Sequence, residues 1–227
     1  MTKETPNLEN LVNSMREQSR LLKAASEIDA IGHVDARDDI VRQLLRRSSE
    51  LARGTAALGG EENYACLGVL FRSLLETLIS ILWVSISIAN AETQNEAGIA
   101  ELSRVLKINL NSGSAKIKNR HTGEDATAEL LASERMKNIQ KRKSVATQAE
   151  EAGVSGLYNI FYRSLSVKTH GHHTECKEES QKTLSIINLQ GIGAICKAIG
   201  NVGVRWLLHR ERTDNESLRE VLGLNDA

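Results

Sequence analysis

Apolar residues recur every three to four positions along most of this chain, and we find no convincing alternation of apolar and polar residues of the kind that marks a half-buried strand. Pro6 is the one proline, so nothing after it interrupts a helix by removing a backbone donor. In the second predicted helix, Arg and Glu outnumber the apolar positions Ile40, Leu44, Leu45 and Leu51, so we place this helix on the surface. The pattern predicts an all-α fold, an up-and-down helical bundle. The predicted helices cover residues 7–31, 35–58, 61–90, 92–110, 124–152, 155–170, 178–212 and 217–222.

A pair of charges interrupts the most apolar of these segments. Arg72 and Glu76 are four residues apart within the apolar run from Tyr64 to Asn90, so they share one face of a helix. Charges in such a run are costly to bury unless they are paired or hydrogen-bonded, so we expect polar partners elsewhere in the fold. The uncharged stretch 77–91 is fifteen residues long. A helix that spans a bilayer needs about 20 apolar residues, so this stretch is too short. We predict a core helix of a soluble protein, with no membrane contact.

The segment 155–170 is the strongest candidate for chemistry, because one side is apolar and the other carries a compact polar patch. The members of this patch are Tyr162, Arg163, Ser166 and His170. Three interpretations are open: a solvated polar face, a structural hydrogen-bond network with Arg72 and Glu76, or a catalytic site. In the catalytic interpretation, the histidine abstracts a proton from a ribose 2′-hydroxyl and the arginine stabilises charge that develops on phosphate. Such a pair cleaves RNA without a metal ion.

Composition excludes several classes of function. Lys and Arg together number 29, as do Asp and Glu, and aromatic residues make up 3% of the chain. The chain therefore has no global field for nucleic acid or anionic membranes, and few side chains on which bases could stack. The three cysteines, Cys66, Cys176 and Cys196, form neither a metal-binding spacing nor a disulfide framework, and residues 1–10 lack the apolar core of a secretory signal. We predict a cytoplasmic protein.

One region departs from this charge balance, since residues 104–143 contain ten Lys or Arg against four Asp or Glu. Two clusters in it are candidates for phosphate contacts, and a solvated surface is the alternative. The clusters are Lys116, Lys118 and Arg120, and then Lys141, Arg142 and Lys143.

The stretch 170–176 carries imidazole and thiol groups of the kind that zinc prefers, on His170, His172, His173 and Cys176. Their order matches no structural zinc spacing, and the adjacent His172 and His173 cannot easily bind one ion together. We expect a solvated loop here, and we predict no metal and no cofactor.

Two short motifs resemble a known superfamily. F-R-S-L-L-E at residues 71–76 and Y-R-S-L-S-V-K-T-H at residues 162–170 are similar to paired helices of uncharacterised prokaryotic proteins related to the HEPN (higher eukaryotes and prokaryotes nucleotide-binding) superfamily. The resemblance covers residues 61–212 and implies a HEPN-like helical bundle, often dimeric, in toxin–antitoxin or phage-defence systems. It makes Arg163 the phosphate-stabilising arginine and His170 the general base. Ser164 departs from the pattern, because active members usually carry a strongly polar residue there.

These observations predict three regions: an N-terminal helical extension over residues 1–60, a HEPN-like bundle over 61–212, and a C-terminal tail with a short helix over 213–227. The predicted function is an RNA- or nucleotide-directed module of a bacterial mobile-element or defence-related system, acting as a metal-independent endoribonuclease. The expected partners are RNA and a second copy or another protein. The alternative is a non-enzymatic protein-interaction module in which the Arg/Glu/Ser/His network is structural; its residues are Arg72, Glu76, Tyr162, Ser166 and His170.

Overall fold

The computed structural model describes residues 7–32, 34–60, 64–133, 143–163, 165 and 178–222. These residues form helices joined by turns, and the one β-type pairing among them is an isolated bridge between Lys118 and Asp125. The predicted all-α class is confirmed. The helices are α1 (Leu8–Ser26), α2 (Ala36–Gly60), α3 (Tyr64–Val84), α4 (Ile88–Asn111), α5 (Thr127–Ala132), α6 (Val145–Glu151), α7 (Ser155–Leu157) with a π-helical turn (Tyr158–Tyr162) directly after it, α8 (Glu178–His209) and α9 (Asn215–Val221).

The chain divides into two compact units, the first made of residues 1–88 and 144–227 and the second of residues 89–143. In the first unit, α1 and α3 each pack against both α2 and α8, which makes a four-helix bundle. The helix α6 and the π-helical turn pack on α3, and α9 packs on α8. The second unit holds α4 beyond Ile88, a turn region and α5. A domain boundary at residue 60 stays a prediction, and the helices before it pack in the same unit as α3 and α8.

Glycines of α8 let the neighbouring helices come close. A Cβ added at Gly191 would lie 2.7 Å from Cζ of Phe71, and one at Gly203 would lie 2.8 Å from Cδ2 of Leu45. Gly193 meets α1, where a Cβ would lie 3.0 Å from the terminal methyl of Met15. Three glycines thus open α8 towards α3, α2 and α1, and the close packing of this central helix depends on them.

The helix α2 is a core element, and its predicted surface position is wrong. Eleven of its residues are buried, and many of them are small or carry a hydroxyl group. The hydroxyls of Ser48 and Thr55 donate to the carbonyls of Leu44 and Leu51, so the helix backbone satisfies them. The buried face of α2 contains Ser and Thr residues whose hydroxyls bond to the helix backbone, so these residues pack in the core. Counting charged and apolar residues does not reveal such a face.

Two predicted helices are interrupted in the structure. The helix predicted over 61–90 is interrupted after Val84, where the Ser85 hydroxyl donates to the Leu82 carbonyl and the backbone N–H of Ile86 bonds to Trp83. The helix predicted over 124–152 is not continuous either, since the backbone is extended at Ser133 and again at Ser144. Short polar residues at both interruptions offer the backbone hydrogen bonds that compete with a helix.

Within α3, the stretch Cys66–Val84 is long and apolar enough to cross a membrane by length and composition alone. In the bundle, 67% of this window is buried, and Leu74, Leu78 and Trp83 are fully enclosed. A core helix packed among other helices shows burial of this kind.

Candidate functional site

The candidate site begins with the polar pair on α3. Arg72 and Glu76 lie one turn apart, and Nε of Arg72 is 3.3 Å from Oε1 of Glu76. Each side chain is 22% exposed, so the pair is largely withdrawn from water although α3 is otherwise a core helix. An ion pair in this position needs further hydrogen bonds to offset its loss of hydration.

Tyr162, at the end of the π-helical turn, supplies those hydrogen bonds. Its hydroxyl accepts a hydrogen bond from Nη2 of Arg72 at 2.7 Å and donates one to Oε1 of Glu76 at 2.9 Å. Tyr162 is only 8% exposed. The three side chains form a closed ring of hydrogen bonds, the Arg72–Glu76–Tyr162 ring, and the predicted contact between Tyr162 and the charged pair is confirmed.

The protonation states follow from this geometry. Burial raises the pKa of the Tyr162 hydroxyl, and its hydrogen bond to Glu76 raises it further, while Arg72 acts in the opposite direction. Burial lowers the pKa of Arg72, but its interactions with Tyr162 and Glu76 outweigh burial and raise the pKa overall. The ring therefore holds a neutral phenol and a charged guanidinium at neutral pH.

A stack of side chains extends from the ring to the surface. The guanidinium of Arg72 lies over the Tyr162 ring at 4.7 Å, and the rings of Tyr162 and Tyr158 stack with centroids 4.9 Å apart. The guanidinium of Arg163 lies 5.8 Å from the centroid of the Tyr158 ring. Cation–π and aromatic contacts of this kind restrict side-chain motion. The stack links the exposed Arg163 to the buried ring.

The π-helical turn itself could not be predicted from the sequence. It covers Tyr158–Tyr162, where a regular α-helix was expected. Such turns insert one residue into a helix and occur frequently at functional sites. Phe161, in the same turn, packs on Phe71 of α3 with ring centroids 6.3 Å apart. The turn contains three aromatic residues, Tyr158, Phe161 and Tyr162, and this is the sequence feature that could have indicated its packing on α3.

The structure thus brings together three of the six residues predicted for the catalytic site and its supporting network, and it places Arg163 immediately after them. Ser166 and His170 lie outside the described residues. The roles assigned to Arg163 and His170 in catalysis stay predictions.

Four of the six predicted phosphate-binding residues are described by the structure, and all four lie in the second unit. Lys116, Lys118 and Arg120 are exposed on a turn that the bridge between Lys118 and Asp125 closes. Hydrogen bonds from Thr127 lower the pKa of the Asp125 carboxyl, and the two lysines lower it further. Lys143 is half-buried, and Lys141 and Arg142 lie outside the described residues. Their contact with nucleic acid stays a prediction.

Within the described part of the chain, no three His, Cys, Asp or Glu side chains come close enough to hold a metal ion. The stretch 170–176, with its three histidines and Cys176, lies outside that part.

A second polar cluster escaped the sequence analysis. Asp38 of α2 is fully buried, and its carboxylate accepts hydrogen bonds from Nε1 of Trp206 at 3.1 Å and from the backbone N–H of Asp35 at 2.8 Å. It also forms an ion pair with Arg210, at the end of α8. Asp35 in turn accepts a hydrogen bond from the backbone N–H of Arg37, so its side chain caps the start of α2. The D-x-x-D spacing at residues 35–38 is the signal that could have located the cap, but its partners on α8 are distant in sequence.

Comparison with known proteins identifies the family. A family model described as a family of unknown function (DUF5677) matches residues 38–180. No curated protein and no solved structure matches the chain significantly. The match extends from α2 to the first residues of α8, and so includes both the charged pair of α3 and the π-helical turn. It covers more than half of the chain, and the protein therefore belongs to the DUF5677 family.

Proposed function

We propose that this protein is a HEPN-like, RNA-directed module that cleaves RNA without a metal ion. The observation that carries the proposal is the position of Arg163. The Arg72–Glu76–Tyr162 ring anchors the π-helical turn to α3, and the next residue, Arg163, is exposed and rests against Tyr158. A cation on a rigid segment can stabilise negative charge on a phosphate with little loss of conformational entropy.

The chemistry assigned to this site needs two groups. His170 takes the proton of a ribose 2′-hydroxyl, and the resulting oxygen attacks the adjacent phosphorus. The bond from phosphorus to the 5′-oxygen of the next nucleotide breaks, that oxygen takes up a proton from water, and the protonated His170 returns its proton to the solvent. Arg163 stabilises the negative charge that develops on the phosphate oxygens. The products are a 2′,3′-cyclic phosphate and a 5′-hydroxyl end.

The ring acts as a positioning element in this proposal. Tyr162 is buried and its pKa is raised, so its hydroxyl does not ionise near neutral pH. Both of its hydrogen bonds go to Arg72 and Glu76, which leaves its hydroxyl committed to the ring. The ring therefore holds the segment in place, and the reacting groups come from the residues that follow.

RNA binding is assigned to the exposed turn with Lys116, Lys118 and Arg120. Each contact between a lysine or arginine and a phosphate releases bound counterions, so affinity should fall steeply with salt. Replacing one of these residues with alanine should lower the salt dependence of binding by about one unit of slope. The resemblance to HEPN proteins further supports a dimer and a role in a bacterial mobile-element or defence system.

The test is cleavage of total RNA by the purified protein in the presence of EDTA. We expect cleavage that survives EDTA, yields 2′,3′-cyclic phosphate ends, and is lost in His170→Ala and Arg163→Ala. Arg20→Ala is the matched control, because Arg20 is an α1 arginine whose side chain is 81% exposed. Absence of cleavage by the wild type, or full activity in both site variants, would refute the proposal.

The alternative function is a non-enzymatic protein-interaction module, and the closure of the ring favours it. All three members satisfy one another, as expected of a network that only fixes the register of two helices. In that case the wild type cleaves no RNA, while Arg72→Ala lowers stability. Activity that is lost in Arg163→Ala without any change in melting temperature separates the two functions.

A further inference from the structure

A cleft of about 500 Å³ lies in the first unit, away from the Arg72–Glu76–Tyr162 ring. Its walls come from three places in the chain: the connection between α1 and α2, the turn between α3 and α4, and the end of α8 with the residues that follow. Small-molecule sites typically have volumes of roughly 300–1,000 Å³. The cleft is therefore large enough for a small ligand.

The charged lining of the cleft is mainly positive. Arg37, Arg210 and Arg212 line it, together with one carboxylate, that of Asp35. Asp35 holds Arg37 through a contact of 2.6 Å, and the buried Asp38 holds Arg210. Arg212 is exposed and forms no ion pair within the part of the chain that the structure describes. One guanidinium at the cleft is thus left without a carboxylate of its own.

The two paired arginines are also held rigidly. The guanidinium of Arg37 lies 4.7 Å from the centroid of the Trp206 ring, and that of Arg210 lies 5.8 Å from it. Arg210 further donates from Nε to the carbonyl of Ile31 at 2.8 Å. These contacts set the shape of one wall of the cleft before a ligand arrives, so that wall loses little conformational entropy on binding.

The rest of the lining is largely apolar. Ile31 and Ile88 contribute to it although they are 58% and 45% exposed, and Ile86 and Trp206 complete it. A ligand whose apolar part covered Ile31 and Ile88 would remove their exposed surface from water, which favours binding. The combination suits a ligand with both an acidic and an apolar part.

We infer that this cleft binds a small molecule that carries one acidic group, a carboxylate, sulfonate or phosphate, on an apolar body. The acidic group binds Arg212, because the charges of Arg37 and Arg210 are already matched by Asp35 and Asp38. The apolar body covers Ile31, Ile86 and Ile88. This site does not depend on the proposed RNA cleavage, because none of its residues belongs to the Arg72–Glu76–Tyr162 ring or to the segment that carries Arg163.

The experiment compares two fluorescent probes that differ only in the acidic group, 8-anilinonaphthalene-1-sulfonate and its neutral parent N-phenyl-1-naphthylamine. We expect the sulfonate to bind the full-length protein at one saturable site, and the neutral probe to bind at least about tenfold more weakly, the effect of one charge-assisted contact. Arg212→Gln should weaken sulfonate binding about tenfold and leave the neutral probe unaffected. Arg219→Gln, an exposed arginine of α9 outside the cleft, is the control.

A second variant tests whether the sulfonate probe binds beside Ile31. Ile31→Glu places a negative charge at an exposed position of the lining, so it should weaken sulfonate binding without unfolding the protein. Circular dichroism melting curves verify that each variant is folded. The inference is overturned if the two probes bind equally well, or if neither Arg212→Gln nor Ile31→Glu changes sulfonate affinity.

Discussion

Arg72 contacts Tyr162 in two ways, because its guanidinium lies 4.7 Å from the centroid of the tyrosine ring and also donates a hydrogen bond to the hydroxyl at 2.7 Å. The two residues are 90 positions apart in the chain. One belongs to the core helix α3 and the other to the π-helical turn. This contact is therefore a long-range connection that sets where the turn lies on α3, and its strength is measurable.

Tyr162→Phe should lower the free energy of unfolding by about 1–2 kcal/mol. The variant keeps the ring stack but removes one hydrogen bond from Arg72 and one to Glu76, and hydrogen bonds to charged groups contribute about 1.5–3 kcal/mol each. The loss is smaller than their sum because Arg72 and Glu76 still pair directly. Urea unfolding followed by circular dichroism measures the change.

Tyr158→Phe is the matched control for that measurement. Tyr158 stacks on Tyr162, but its hydroxyl forms no hydrogen bond among the described residues. Its loss should change stability by less than about 0.5 kcal/mol. Equal effects of the two variants would mean that the ring contributes nothing beyond packing.

The same ring predicts a dependence of stability on alkaline pH. The pKa of Tyr162 is raised in the folded protein, mainly by burial, whereas a tyrosine in the unfolded chain has a pKa of about 10. Its contribution is fully present below about pH 10 and is lost as the pH rises through the folded pKa, since the unfolded chain releases the proton first. The stability difference between wild type and Tyr162→Phe should therefore shrink in urea titrations as the pH rises above about 10. A constant difference across this range would contradict the burial of the hydroxyl.

The buried carboxylate of Asp38 should be one of the most sensitive positions in the bundle. Asp38→Asn removes the charge that pairs with Arg210. Breaking a fully buried pair costs about 3–5 kcal/mol, and since the Arg210 side chain is 25% exposed, we expect a loss of about 2–3 kcal/mol. Asp39→Asn is the neighbouring control, because the Asp39 side chain is 70% exposed and only 3.6 Å from Arg42 in a surface pair. That change should cost at most about 1 kcal/mol. Similar melting temperatures for the two variants would contradict the burial of Asp38.

The sequence predicted the helices of the core and the pairing of the α3 charges, because both depend on local spacing and on the cost of burying charge. Arg72 and Glu76 within an apolar run require a partner, and Tyr162 was among the candidates. These features could be predicted because each depends on the spacing of a few residues and on the free-energy cost of burying a charge.

The features that the sequence analysis missed depend on tertiary packing. The core position of α2 rests on hydroxyl groups that bond within the helix, and a pattern of apolar residues does not register them. The cluster around Asp38 joins residues 168 and 172 positions apart. The π-helical turn depends on how Tyr158 and Phe161 pack against their neighbours. None of these contacts has a periodic signature in the chain.

Cysteine reactivity tests the packing of α8. Cys196 is fully buried, and burial raises the pKa of its thiol to about 12, whereas Cys66 is exposed. At pH 8 only about one Cys196 thiol in ten thousand is ionised, and the thiolate is the reactive form. Iodoacetamide should therefore alkylate Cys66 in the native protein and reach Cys196 only in urea, as peptide mass mapping will measure. Native labelling of both at similar rates would contradict the burial of this face of α8.

The contact between Gly203 and Leu45 yields the sharpest test of the bundle. Gly203→Ala places a methyl group 2.8 Å from Cδ2 and 3.0 Å from Cγ of Leu45, a fully buried side chain with little room to move. Such overpacking costs about 1–3 kcal/mol, and the better helix propensity of alanine offsets at most about 1 kcal/mol. We expect a net loss of about 1–2 kcal/mol in the free energy of urea unfolding. Gly200→Ala lies one turn earlier and meets Leu22 at an ordinary 3.7 Å, so it should gain up to about 1 kcal/mol. If Gly203→Ala is as stable as Gly200→Ala, α2 and α8 do not approach as closely as the structure places them.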